Sequence, residues 1–99
     1  MSVADLLAED RRLAMLLLLD QSPASTANDS ILHSALPEIG HRCSRDQVRG
    51  DLAWLAEQGL IGLEAMVGGR VMVASLTAHG ADVAAGRSLV PGVKRPSPG

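Results

Sequence analysis

From Ser44 to Ile61 the chain reads S-R-D-Q-V-R-G-D-L-A-W-L-A-E-Q-G-L-I, and this stretch decides the fold. Ser44 with Gln47 three residues later is a capping box, in which the serine hydroxyl accepts from the third helical amide and the glutamine side chain returns to the cap. A helix therefore starts at Ser44. Val48, Leu52 and Leu55 recur at helical spacing on one side, and Gly59 supplies a stop just after Gln58. Arg45 and Arg49, four positions apart, share the face opposite Val48 and Leu52.

Working upstream, Gly40 to Cys43 is a short turn. Asn28 suits an N-cap, opening a second helix with Ile31, Leu32, Ala35 and Leu36 inward. Pro37 should end, kink or tighten that helix before Gly40. Gln21 to Ala27, broken by Pro23, reads as a loop. A first helix should span about Val3 to Asp20, started by Ser2 and Asp5. Leu6, Leu13, Leu16 and Leu17 form one stripe on it, and Leu7, Met15, Leu18 and Leu19 widen that stripe beyond one face. Such breadth fits a central helix covered on all sides, or one shared with a partner. We expect the second case, a symmetric homodimer in which Leu7, Met15, Leu18 and Leu19 meet their copies.

Downstream of Gly59 the period changes. Leu60–Val67 and Arg70–Leu76 are strand-like runs, and Gly68-Gly69 between them supplies the positive φ angles of a tight hairpin. Thr77 then caps a short helix reaching about Gly86. Val90 to Gly99 carries three prolines and two glycines around Lys94-Arg95. The expected organisation is a folded domain over 1–88 and a flexible basic tail over 89–99.

Composition narrows the function. A chain of 99 residues has one modest core. Trp54 is the only aromatic residue, which removes the stacking platforms of single-strand nucleic-acid binders. A net charge of −2 and an isoelectric point near 5.8 disfavour a uniformly basic surface while leaving room for a local basic face. Cys43, alone, allows no internal disulfide, and with His33, His41 and His79 it lacks the spacing of a tetrahedral metal site. The run Leu13–Leu19 is flanked by acids and is far shorter than the ~20 residues of a membrane span, so we expect a soluble cytoplasmic protein. No phosphate loop, serine elbow or metal-binding helix is present, so we expect neither an enzyme nor a cofactor.

The order helix, helix, tight turn, helix, hairpin, helix resembles the winged helix-turn-helix. Ser44–Ile61 is similar to the recognition-helix segment of bacterial regulators of the ArsR, MarR and DeoR kind, and Leu76-Thr77-Ala78-His79-Gly80 is similar to their leucine-threonine-x-x-glycine step after the wing. Taken whole, the chain is most similar to small ArsR-like proteins of Mu-type phages and prophages. The resemblance implies an α+β fold with a three-helix core, a two-stranded wing and a short last helix, and a transcriptional regulator with double-stranded DNA as partner. The cysteine-rich metal-sensing motif of ArsR repressors is absent. In such a fold the third helix enters the major groove. Arg45, Gln47 and Arg49 would then read bases, and Arg42, Ser44 and Arg70 would position the backbone. Asp46 and Asp51 on the same helix leave two alternatives open: a solvated face in which Arg49 pairs with either acid, and a winged-helix module that binds protein instead of DNA.

Overall fold

The computed structural model describes residues 1–97, so Pro98 and Gly99 of the expected tail lie outside the described residues. The elements run α1 (Val3–Gln21), β1 (Thr26–Asn28), α2 (Asp29–Ala35), α3 (Arg45–Glu57), β2 (Ile61–Met66), β3 (Val71–Leu76) and α4 (Ala78–Ala84). The reciprocal caps at Ser2/Asp5 and Ser44/Gln47 are both formed, as are side-chain caps at Asn28 and Thr77. After α2 the chain tightens into a 3-10 turn over Leu36–Ile39, with Pro37 in its first turn and Gly40 left-handed at its end.

α1 is the centre of the molecule. Leu13, Ala14, Met15, Leu16 and Leu19 are buried against β3, α3, α4 and the 3-10 turn. This corrects the expected dimer face: Met15 and Leu19 are 0% exposed within one chain, so neither can meet a copy. Leu18 is half-buried and Leu7 is exposed. Leu6 and Leu17, placed inward by spacing, are exposed: Leu6 lies in the first two turns of α1, which project beyond the core, and Leu17 faces away from it between the buried Leu16 and Leu19. Ile31 is likewise exposed, and Leu32 and Leu36 are the residues that α2 and its 3-10 turn contribute inward.

The sheet has three strands, not the two of the hairpin alone, in the order β1-β3-β2. β3 pairs antiparallel with β2 from Ile61↔Leu76 to Met66↔Val71, and with β1 through Thr26↔Ser75, Ala27↔Ala74 and Asn28↔Val73. β1 falls where a loop was expected. Ala24 and Ser25 take positive φ and swing the chain onto the free edge of β3, where Thr26 and Ser75 bond through their hydroxyls at 3.0 Å. The hairpin loop is the four residues Val67–Arg70, closed by the Gly69 amide donating to Met66 and the Arg70 amide to Val67.

The described part of the tail is docked, contrary to expectation. Val93 is buried, Gly92 accepts from Arg12 Nη1 at 2.9 Å, and the Lys94 amide donates to Glu9. The Arg12 guanidinium also lies 4.2 Å over the Trp54 ring, so Trp54 packs against both α1 and this segment.

The junction between α3 and the last helix explains the Leu-Thr-x-x-Gly step. The Leu60 carbonyl accepts from the Thr77 amide at 3.1 Å, and the Thr77 hydroxyl donates to Gly59 at 2.8 Å. A Cβ at Gly80 would stand 2.0 Å from that same Leu60 oxygen, whereas one at Gly50, exposed in mid-helix, would meet nothing. Gly80→Ala should therefore cost about 2–3 kcal/mol through forced separation of α4 from Leu60, and Gly50→Ala should add about 0.5–1 kcal/mol. Urea midpoints at unchanged m-value would show the two shifts with opposite sign.

Candidate nucleic-acid interface

The exposed start of α3 brings together most of the residues that spacing singled out. Ser44 and Gln47 are engaged with each other: the Gln47 amide donates to Ser44 Oγ at 3.0 Å, and the Ser44 amide to Gln47 Oε1 at 2.9 Å. The Gln47 side-chain NH2 is left over for another partner. Arg42 precedes the cap and Arg70 closes the hairpin loop. Both are exposed, and neither guanidinium has a hydrogen bond or ion pair among the described residues.

Arg45 and Arg49 do share a face, but their partner is neither Asp46 nor Asp51. It is Asp29, the first residue of α2, whose side chain is 0% exposed. Asp29 Oδ2 accepts from Arg49 Nε at 2.8 Å and from Arg45 Nε at 3.3 Å, while Oδ1 accepts from the Met72 amide at 3.1 Å. Arg49 Nη2 also donates to the Arg70 carbonyl. One carboxylate thus joins α2, α3 and β3, and Arg49 extends the connection to the hairpin loop. Burial alone would raise the Asp29 pKa; the bonds from Arg49, the Met72 amide and Arg45 outweigh it and lower it from 3.8 to about 2. Sequence reading missed Asp29 because an acid just after an N-cap already has a local explanation in the helix dipole.

Asp51 lies on the other side of α3. It is buried against α1, where Arg11 Nε and Arg12 Nε donate to its two oxygens, the latter at 3.2 Å. Asp46 alone of the two acids stays exposed. Two of the three histidines are also committed elsewhere, and His79 is exposed on α4. His41 Nε2 donates to Asp10 at 2.7 Å, and His33 Nε2 donates to the Cys43 carbonyl at 3.0 Å. The Asp10 pKa is lowered despite partial burial, by its bonds to Lys94 and His41, and burial raises that of the Cys43 thiol. Among the described residues no three His, Cys, Asp or Glu side chains converge as metal ligands, and no helix is long and apolar enough to cross a membrane.

No family profile matches the chain. It is 50% identical over 97 residues to protein gp26 of Escherichia phage Mu, itself uncharacterized, with 97% of each chain covered. An uncharacterized protein of Haemophilus influenzae is 44% identical over 77 residues, covering 78% of this chain and 74% of that one. Among solved structures, the chain resembles Sco3205, a MarR family transcriptional regulator from Streptomyces coelicolor crystallised in complex with DNA. The TM-score is 0.57 at 23% identity over 80% of this chain. That likeness establishes the winged-helix fold. This chain spans only about half, 55%, of the regulator's length.

The Asp29 cluster should be visible in the acid limb of stability. Its folded pKa of about 2 lies below the ordinary 3.8, so its contribution is fully present above about pH 4 and is lost as pH falls through 2. The shift corresponds to about 2 kcal/mol at neutral pH. Urea unfolding of Asp29→Asn should show that deficit at pH 7 and a much smaller one near pH 2.

Proposed function

We propose that this chain, which belongs to the family of phage Mu protein gp26, is a DNA-binding transcriptional regulator that presents α3 to the major groove and the β2–β3 wing to the flanking backbone. The observation that carries the reading is the arginine set at the start of α3 and on the wing, exposed at Arg42, Arg45 and Arg70 and partly covered at Arg49. Arg45 and Arg49 are fixed side by side, Arg42 and Arg70 flank them with unbonded guanidiniums, and Asp51 is turned away into α1. A winged-helix neighbour solved with DNA supports the same use of the fold. Arg45, Arg49 and the free amide of Gln47 would read base edges, with Arg42, Ser44 and Arg70 at phosphates. The relationship to gp26 of phage Mu supports a phage- or prophage-encoded protein, which as an ArsR-like regulator would act in the cytoplasm.

As a homodimer it would span two half-sites about 34 Å apart. With Met15 and Leu19 interior, the surface for self-association is the projecting start of α1, where Val3, Leu6 and Leu7 are all more than half exposed. The net charge of −2 and the exposed Asp46 favour a second reading, a winged-helix module for a protein partner.

Fluorescence anisotropy with mixed-sequence duplexes across a salt series separates the two. A DNA regulator shows affinity that falls steeply with salt, and Arg42→Ala or Arg70→Ala each flattens the log–log slope by about one. Arg49→Ala costs about 1–3 kcal/mol at a selected site. Absence of binding at the lowest salt overturns the DNA reading and leaves the protein-partner module.

A further inference from the structure

We infer that Asp29 is a specificity-determining residue: a buried internal counter-ion that holds Arg45 and Arg49 in a reading geometry and lowers their indiscriminate attraction to phosphate. The inference rests on the DNA-binding reading of the same surface and assigns a role to a residue that touches no DNA.

Two guanidiniums half to two-thirds covered share one carboxylate oxygen that is wholly enclosed. The three groups together carry a net charge of +1 in place of +2. Attraction to the DNA backbone scales with the number of cationic groups free to displace counter-ions, so this sharing takes away part of the sequence-independent affinity. Base reading has a different requirement, a planar guanidinium presented in one orientation, because the fork must meet two acceptors on a base edge at once. Both arginines are held at the Nε edge. That leaves the two terminal nitrogens of Arg45 unbonded among the described residues, and Arg49 is further fixed by its bond to the Arg70 carbonyl. Asp29 also accepts from the Met72 amide, so the wing is set by the same group that sets the arginines. The arrangement trades general affinity for discrimination, which suits a regulator whose net charge is already −2.

Asp29→Asn tests this, since the amide oxygen keeps an acceptor for the Met72 amide while the charge and the hold on the arginines are lost. Binding is measured to a mixed-sequence duplex and to the tightest duplex enriched from a random pool, across a salt series, with circular dichroism confirming the fold. The expected result is equal or tighter binding to mixed sequence, a salt slope steeper by about one, and discrimination reduced by about tenfold. Equal weakening on both duplexes with an unchanged slope, or no change at all, overturns the inference and leaves Asp29 a structural tie. If Asp29→Asn does not fold, Arg45→Lys decides. It keeps the charge and loses the fork, so mixed binding should persist while discrimination falls; retained discrimination overturns the inference. Absence of any DNA binding by the unaltered protein overturns the functional reading itself, and this inference with it.

Discussion

A carboxylate withdrawn from water must find donors or lose its charge, and Asp29, on α2, finds three, two from α3 and one from β3. That requirement fixes more of the molecule than any single apolar contact. It holds the start of α2 over the outer face of α3 and draws the β3 backbone to the same point. Through Arg49 it also fixes the tip of the hairpin, a segment that the hydrophobic core does not reach: Met66 and Val67 there are both exposed. In a domain this small, the core can position helices, but the orientation of a projecting wing has to come from polar bonds. The enclosed site, with all its partners in place, makes those bonds strong.

α3 is held on its other side by a matching arrangement, in which Asp51 accepts from Arg11 and Arg12 of α1. The two clusters use opposite sign patterns with respect to the helix. On the inner side α3 supplies the acid and α1 the bases; on the outer side α3 supplies the bases and α2 the acid. This explains how a chain with 11 acidic and 9 basic residues retains a cationic surface at the start of one helix. Asp29 beneath that surface and Asp51 on the opposite side of α3 are both enclosed and paired, which leaves Asp46 as the acid exposed there beside Arg42 and Arg45.

The elements set by local chemistry were legible in the sequence. The caps at Ser2, Asn28, Ser44 and Thr77, the tightening at Pro37 and the change of period after Gly59 all act within a few residues, and each element begins or ends where they place it. Features decided by distant partners were not. β1 has only three residues, with a loop-like composition, and exists because β3 offers a free edge. The division of the leucines of α1 between core and surface depends on how far the other elements reach along it, which spacing alone does not reveal. The docked segment around Val93 reads as tail-like from its prolines and glycines, yet Gly92 is there because Trp54 leaves no room for a side chain. At the candidate site the arginines were visible as a face, and Asp29, separated from Arg45 by 16 positions and from Met72 by 43, was not.

The clasp around Trp54 has an optical consequence. The chain has no tyrosine, so its near-ultraviolet absorption and intrinsic emission come from this one indole. That indole sits on α3, capped by a guanidinium from α1 and closed by Gly92. Its emission therefore reports the seam where the first helix, the third helix and the C-terminal segment meet. Far-ultraviolet ellipticity reports all the helices at once. A seam that opens before the helices melt would separate the two signals, so one spectroscopic comparison on the unlabelled protein measures whether that seam opens with the rest of the domain or ahead of it.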